Sequence, residues 1–191
     1  MEENREALAA VAERAALCER CPLCKTRTHV VFGKGSPTAK ILFVGEAPGE
    51  NEDLQGLPFV GLAGKLLDHY LAYAGIAEED YYVANILKCR PPHNRDPLPE
   101  EENACMPYLR EQVRILKPRI LVCLGRIAAM RILAPDFKIT RQHGEWFENN
   151  GMKIMAVYHP AALLRDPAKK EATLFDFKKI RQEYLRLLGQ K

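Results

Sequence analysis

Short apolar runs alternate along the chain with longer amphipathic segments. Four runs have the nearly continuous apolar character of buried strands, at 41–44, 81–87, 119–124 and 152–158. Helical spacing of apolar positions predicts helices at 3–17, 62–74 and 100–117, a short one ending near Leu133, and two more at 160–165 and 170–188. Strands that alternate with helices favour a parallel sheet covered by helices on both faces. The pattern therefore predicts an α/β fold, with 144–148 as a further strand candidate beside the fourth run.

Unusual residues lie near or just after the end of each of the four predicted strands. The segment GEAPG at 45–49 follows the first run, Asn85 lies at the end of the second, Gly125 follows the third and His159 follows the fourth. In open parallel sheets, ligands bind beyond the carboxyl ends of the strands. We therefore expect these residues to meet in one cleft.

Each of these features also has a plain structural interpretation. The cluster at 45–53 is compatible with a tight turn that feeds a loop, His159 with a packed or capping histidine, and Asn85 with a structural amide. The segment has neither G-x-G-x-x-G nor a P-loop lysine, so kinase and dinucleotide-binding functions lose their usual support. Only the joint placement at four strand ends favours a functional site.

Length and composition are those of an ordinary globular protein. The chain has 191 residues, of which 47% are hydrophobic and 28% charged, and it suits a single domain over 1–191. The net charge of +3 permits an anionic partner without requiring one. The acidic N-terminus lacks the plan of a secretory signal, and no apolar stretch reaches the roughly 18 residues of a membrane helix. We expect a soluble, cytoplasmic protein with no membrane partner.

Six cysteines in a chain that is not exported indicate metal or catalytic use rather than disulfides. Cys123 lies within an apolar run and is interpreted as a small buried hydrophobe. The other five are candidates for a four-thiolate site: Cys18, Cys21, Cys24, Cys89 and Cys105. Their spacing fits neither the two close pairs of a zinc ribbon nor the four-cysteine run of a bacterial ferredoxin. From spacing alone, zinc and an iron-sulfur cluster both stay open.

Several motifs together resemble the family-four (type-four) iron-sulfur uracil-DNA glycosylases. They are GEAPG at 45–49 followed by Glu52-Asp53, PFVG at 58–61, Asn85 before KCRPP at 88–92, and HPAALLR at 159–165. The resemblance implies a three-layer α/β/α fold around a central four-stranded, mainly parallel sheet. It also implies a DNA-repair enzyme that hydrolyses the N-glycosidic bond of uracil in DNA, releases free uracil and leaves an abasic site.

The same resemblance implies one structural [4Fe-4S] cluster. Its ligands would be Cys18, Cys21, Cys89 and Cys105, and Cys24 would be spare, although Cys21 and Cys24 form an equally short pair. The cluster would tie the N-terminal segment to the loop and helix that follow the second strand.

Uracil flipped out of the stack would be recognised by its edge and its face. By resemblance, Phe59 would stack on the base and the Asn85 carboxamide would bond its N3/O4 edge. His159 would stabilise the anion that develops at O2 as the glycosidic bond breaks.

The GEAPG segment at 45–49, called the glycine-rich loop below, would complete the uracil-binding site with Gly45, Glu46 and Ala47. Ala47 stands where many related enzymes have an aspartate that positions or activates water. Glu46 and backbone groups of the loop are left to place the water, so Glu46 joins Asn85 and His159 as a catalytic candidate. Glu52 is the candidate gate against the C5 methyl group of thymine.

Uracil-containing DNA, single- or double-stranded, would be held through its phosphates and opened by a wedge, for which Leu163 is the candidate. We expect the enzyme to act as a monomer. Basic residues beside these loops are candidates for phosphate contacts, although each alone also suits a solvated face: Lys34, Arg90, Arg95, Arg126, Arg165, Lys169 and Lys170.

Two other functions compete with the enzyme. One is a nucleic-acid-binding protein with a four-cysteine metal module and no chemistry, which the placement of Asn85 and His159 disfavours. The other is the relative that traps uracil-DNA covalently through a histidine in an inserted basic loop. No such insertion follows Asn85, and neither His93 nor His143 lies in that context.

Overall fold

A computed structural model describes residues 1–189 of the chain. Its sheet has six strands in the order β1-β3-β2-β4-β6-β5. Four of them are parallel and correspond to the four predicted runs: β2 (Ile41–Gly45), β3 (Tyr81–Asn85), β4 (Ile120–Leu124) and β6 (Met152–Val157). The edges are antiparallel and are formed by β1 (Lys34–Gly35) beside β3 and β5 (Trp146–Asn149) beside β6.

Eight α-helices accompany the sheet within residues 1–189. They are α1 (Glu2–Ala16), α2 (Glu50–Gln55), α3 (Leu62–Ala74), α4 (Pro99–Leu116), α5 (Arg126–Ile132), α6 (Ile139–Gln142), α7 (Pro160–Arg165) and α8 (Lys170–Leu187). Short 3-10 turns lie at Pro22–Lys25, Glu78–Asp80, Pro92–Asn94 and Pro167–Lys169. No helix in the described chain is both long and apolar enough to cross a membrane.

Alternate residues of the central strands face two separate cores. Leu42 and Val44 pack with α1, α4 and α5, whereas Ile41 and Phe43 pack with α3, α7 and α8. Because successive side chains of a strand point to opposite faces, a strand covered on both sides must be apolar throughout. The three-layer α/β/α architecture expected from the sequence is therefore confirmed.

Helix ends follow local chemistry. Helix α3 ends at Gly75, whose φ of 70° is the left-handed conformation that glycine adopts without steric cost. Helix α4 begins after Leu98, whose main-chain N–H donates to the Glu101 carboxylate at 2.9 Å. Both ends agree with the predicted boundaries to within one or two residues.

Three short elements differ from the sequence-based interpretation. No regular element was predicted from the sequence for residues 34–35, which pair with β3, or for the segments that form α2 and α6. Elements of two to six residues contain too few positions to display a period of two or of 3.6, so hydrophobic periodicity does not reveal them. The sheet thus has two edge strands beyond the four parallel ones.

Candidate functional site

The carboxyl ends of the four parallel strands open into one pocket of about 460 Å³. Its walls come from the loop after β2, the end of β3, the β4–α5 junction and the start of α7. The pocket-lining residues that the sequence singled out are Glu46, Ala47, Gly49, Glu52, Phe59, Asn85, Arg95, Gly125, Arg126, His159 and Arg165. Gly45, predicted to bind uracil, is not among the lining residues. The prediction that the four strand ends meet in one cleft is therefore confirmed.

Asn85 lies on the floor of the pocket as the last residue of β3. It is 2% exposed, and its side-chain Oδ1 has no hydrogen-bond partner within the described chain. Almost all buried polar groups in proteins are hydrogen-bonded, so an unpartnered amide oxygen beside the pocket indicates a polar partner that the described chain does not itself supply. Gly45 is paired with Asn85 across the sheet, and any side chain at 45 would overlap the Asn85 Oδ1.

Phe59 and His159 form one aromatic wall. Their rings are nearly stacked, with centroids 5.7 Å apart and an interplanar angle of 30°. Phe59 has a φ of 53°, and its backbone packs so closely on α3 that a Cβ at Gly64 would overlap its carbonyl group. A bulky residue in the left-handed region is strained and persists only where its surroundings enforce it, as they often do in binding sites.

His159 is held in one tautomer at the start of α7. Its Nδ1 accepts a hydrogen bond from the Ala161 main-chain N–H at 3.1 Å, which leaves the ring proton on Nε2. Burial, and secondarily the positive charge of Arg165, lowers the pKa of His159 to about 4. The ring is therefore neutral at physiological pH and can donate through Nε2.

Gly125 allows that histidine to sit where it does. A Cβ at this position would lie 2.8 Å from the Cβ of His159, and the φ of 95° at Gly125 is one that side chains rarely adopt. The glycine after β4 is thus required for His159, which follows β6, to pack against the end of β4.

Glu46 is the titratable carboxylate of the glycine-rich loop. Burial raises its pKa to about 7, and nearby Asp96 adds to the rise while Arg126 opposes it. A carboxylate with a pKa close to the operating pH is suited to proton transfer or to positioning a water molecule.

Glu52 occupies the space beside Gly49. One of its carboxylate oxygens accepts hydrogen bonds from the main-chain N–H groups of Val60 and Gly61, at 3.0 and 3.1 Å. The other oxygen lies 2.7 Å from the point where a Cβ at Gly49 would sit. The Glu52 side chain therefore fills the room that a larger residue at 49 would take.

Leu163 is wrongly assigned as a wedge. Its exposed fraction is 0%, and it packs in the core against α3 and α8, so it cannot reach a DNA stack. The next residue, Leu164, is 42% exposed. A six-residue helix has one buried face, and the contact of α7 with α3 decides that Leu163 occupies it.

The basic candidates are distributed unevenly. Arg126 and Arg165 line the pocket, and Arg126 is paired with Asp96 at 2.9 Å. Arg95 lines it too but is paired with the buried Glu101. The other four do not line it, namely Arg90, Lys34, Lys169 and Lys170.

A second, smaller cavity is lined by four of the five candidate cysteines, Cys18, Cys21, Cys89 and Cys105. Cys24 is not among the lining residues, and Cys123 is fully buried in β4, where burial strongly raises the pKa of its thiol. No group of three or more His, Cys, Asp or Glu within residues 1–189 has the geometry of a single-ion site. The cavity thus gathers cysteines from two distant parts of the chain, residues 18–21 and residues 89–105.

Hydrogen-bond donors surround the sulfurs of this cavity. Arg20 Nε lies 3.5 Å from the Cys18 Sγ, Arg27 Nη1 lies 3.6 Å from the Cys89 Sγ, and a main-chain N–H donates to the Cys105 Sγ at 3.2 Å. Burial alone would raise the pKa of Cys18, but hydrogen bonds from Tyr108 and Arg20 outweigh it and lower that pKa. Burial instead raises the pKa of the other three thiols, Cys21, Cys89 and Cys105, so only Cys18 has surroundings that lower it.

Two buried charged residues near the pocket and the cavity were not predicted as site residues from the sequence. Asp53, buried in α2 beside Glu52, accepts hydrogen bonds from the main-chain N–H of Thr28 at 2.9 and 3.1 Å. Lys88 is buried between the cavity and Asn85. Both lie within the quoted motifs, but nothing in a motif tells a buried charge from a solvated one.

Comparison with known proteins gives concordant results. Residues 32–186 match the family described as the uracil DNA glycosylase superfamily. The chain is 46% identical over 183 residues to a type-4 uracil-DNA glycosylase of Archaeoglobus fulgidus, with 92% of each chain covered. Two more proteins with that name are similar, from Thermotoga maritima (43% identity; 87% of this chain and 88% of the relative) and Sulfurisphaera tokodaii (42%; 93% and 84%).

Proposed function

Because this chain belongs to the type-4 uracil-DNA glycosylases of the uracil DNA glycosylase superfamily, we propose that it excises uracil from DNA. The reaction is hydrolysis of the N-glycosidic bond, which releases free uracil and leaves an abasic site. The observation that carries the proposal is the orphaned Asn85 amide in a pocket walled by Phe59 and a neutral His159.

Base recognition follows from these three side chains. Phe59 offers a face for stacking, and the Asn85 carboxamide donates to O4 and accepts from N3–H of uracil. Cytosine presents the opposite polarity at both atoms, so it would leave a buried amide badly paired. Glu52 fills the space beside Gly49 and so stands as the gate against a C5 methyl group.

Bond cleavage moves the glycosidic electron pair onto the departing base. His159, neutral and with its proton on Nε2, donates to uracil O2 and stabilises the charge that develops there. Water then adds to the sugar carbon and gives up a proton. With Ala47 in the place of an aspartate, Glu46 is the carboxylate that orients this water and receives the proton.

The cysteine cavity suits a [4Fe-4S] cluster held by Cys18, Cys21, Cys89 and Cys105. Four cysteines from two distant parts of the chain line one cavity, with N–H donors beside three of the sulfurs. Such a group supplies a covalent cross-link between the N-terminal segment and the region after β3, and hydrogen bonds to its sulfurs tune its potential.

Uracil-containing DNA lies across the carboxyl edge of the sheet in this proposal. Arg126 and Arg165 at the pocket, with Arg90 and Lys34 farther out, contact phosphates, and Leu164 replaces Leu163 as the wedge. The protein acts as a monomer in the cytoplasm, where thiols stay reduced.

One denaturing gel tests the proposal. Incubation with an oligonucleotide that carries a single uracil, followed by alkali, should cleave the strand at the uracil. Intact DNA would favour a binding module without chemistry, and a slower-migrating covalent band would favour the trapping relative.

Replacing the two leucines of α7 separates structure from function. We expect Leu164→Ala to slow excision from duplex DNA about tenfold or more while leaving single-stranded DNA unaffected, because opening a base pair costs a few kcal/mol. Leu163→Ala should instead lower the free energy of unfolding by about 2 to 5 kcal/mol. Single-turnover rates on both substrates and denaturant melts check this; equal slowing on single strands by Leu164→Ala would contradict the wedge.

The pKa of Glu46 predicts the pH profile. The carboxylate is the active form, so the single-turnover rate should rise with pH through about 7 and then level off. His159, with a pKa of about 4, does not change its protonation state near neutral pH and so adds no second pH-dependent step to the rate profile. Glu46→Gln should be slow and flat with pH, whereas Glu145→Gln, an exposed control, should keep the wild-type profile. If the rate of Glu46→Gln still rose with pH, the pH dependence would belong to another titrating group.

A further inference from the structure

Lys88 is a fully buried cation between the pocket and the cysteine cavity. It is 1% exposed, and its ammonium donates to the Asn85 main-chain oxygen at 2.8 Å and to the Gln112 Oε1 at 2.7 Å. The ammonium also lies 5.6 Å from the centre of the Phe32 ring. These partners are neutral, so they solvate the charge without compensating it.

No carboxylate of residues 1–189 forms an ion pair with this ammonium. A buried charge without a counter-charge carries a large desolvation cost. Methionine or leucine would fill the same volume without it. A lysine in this place therefore calls for a source of negative charge nearby.

The cysteine cavity supplies that charge. Lys88 lines it together with the four proposed ligands, and its main-chain N–H donates to the Cys105 Sγ at 3.2 Å. Its main-chain oxygen accepts from Val31 N–H at 2.7 Å, which ties the N-terminal segment to the same residue. Four thiolates around a [4Fe-4S] core would carry net negative charge. The Lys88 ammonium is close enough to Cys105 for its charge to interact with that sulfur, and among the three basic residues that line the cavity, with Arg20 and Arg27, Lys88 is the fully buried one.

The Lys88 ammonium contacts Asn85, the residue proposed to recognise the base. Asn85 is the last residue of β3, and the chain beyond it keeps two more hydrogen bonds, from Ile86 N–H to the Gly45 oxygen and from Leu87 N–H to the Glu46 oxygen, before it reaches residues 88 and 89. The bond from the Lys88 ammonium holds the Asn85 carbonyl where the strand ends, and so holds the backbone from which the base-reading carboxamide projects.

We propose that Lys88 is a positioning residue that couples the cysteine site to the base pocket, compensating the charge of the thiolate-ligated cluster while fixing the Asn85 backbone. This inference rests on the proposed function and deepens it. It predicts that one substitution changes both the electrochemistry of the cluster and the chemistry of a base that lies in a different cavity.

The test compares Lys88→Met with Lys25→Met. The second variant is a matched control, because Lys25 is an exposed lysine directly after Cys24. Film voltammetry of the iron-loaded proteins measures the midpoint potential. A nearby cation favours the more negative, reduced state, so Lys88→Met should shift the potential to a more negative value and Lys25→Met should leave it near wild type, since exposed charges are screened.

Single-turnover kinetics supply the second readout. Loss of an outer-shell partner commonly costs about 10 to 100 fold in activity. We expect Lys88→Met to lower the maximal excision rate by that factor with little change in the DNA concentration for half-maximal rate, because phosphate contacts are untouched. Wild-type values for either the potential or the rate overturn the proposal.

A second variant covers the case in which Lys88→Met does not fold. Gln112→Glu keeps the lysine and gives it a carboxylate partner, which cancels the charge that faces the cluster. Its potential should also shift to a more negative value, and an unshifted potential would overturn the proposal. Failure of the proposed function is distinct, because wild-type protein would then lack excision or iron before any variant is compared.

Discussion

Replacing His159 or Asn85 with alanine is expected to slow uracil excision by on the order of 100 to 1,000 fold, the usual cost of removing one preorganised donor from a transition state. In the proposed site, His159 acts on the charge that develops at O2, and Asn85 acts on the edge of the base. Neither depends on net charge, since His159 is neutral and Asn85 is an amide. Single-turnover rates with saturating enzyme measure the effect on the chemical step.

The control for this experiment is His69→Ala, which removes an exposed imidazole from α3 and should leave the rate within a few fold of wild type. His159 also accepts the first hydrogen bond of α7, so its variant needs a thermal melt to show that the fold survives. Near-wild-type rates in both His159→Ala and Asn85→Ala would refute the proposed site and leave the binding module as the better interpretation.

The second large effect concerns the cysteines. Cys18→Ser is expected to lose iron and brown colour, whereas Cys24→Ser should retain both, because Cys18 lines the cavity with the other proposed ligands and Cys24 does not. Loss of an outer-shell partner already costs about 10 to 100 fold in metal affinity. Loss of a ligand should therefore cost at least as much.

Iron and acid-labile sulfide analysis of anaerobically prepared protein checks this expectation, with Cys123→Ser unsuitable as a control because its thiol is buried in β4. Zinc without iron in the wild-type protein would refute the cluster. Iron lost from Cys24→Ser but kept by Cys18→Ser would move the ligand assignment to the 21/24 pair.

Hydrophobic pattern alone was sufficient for the parallel strands and for the meeting of their carboxyl ends. A strand covered on both faces must be apolar at every position, and this requirement is visible in five consecutive residues of β2 or β4. Parallel order then places Asn85 and His159 at one edge, whatever the details of the loops. The site's location followed from local information for that reason.

Electrostatic properties of the same residues depended on distant contacts. The tautomer of His159 follows from the position of the Ala161 N–H, and the pKa of Glu46 from burial beside Asp96. A sequence lists the groups that titrate, but solvation and charge proximity are set only when the chain has folded.

The sequence by itself determined the layered α/β class, the four parallel strands, the meeting of their carboxyl ends and the set of candidate cysteines, because continuous apolar runs and motif spacing are local properties. Only the tertiary structure decided that Leu163 faces the core while Leu164 is exposed, that Cys24 stands outside the cysteine cavity, and that Lys88 is buried against Gln112, a residue 24 positions away. Elements far along the chain decide which side of a short helix is covered and which charged group is buried. A short stretch of sequence does not contain those elements.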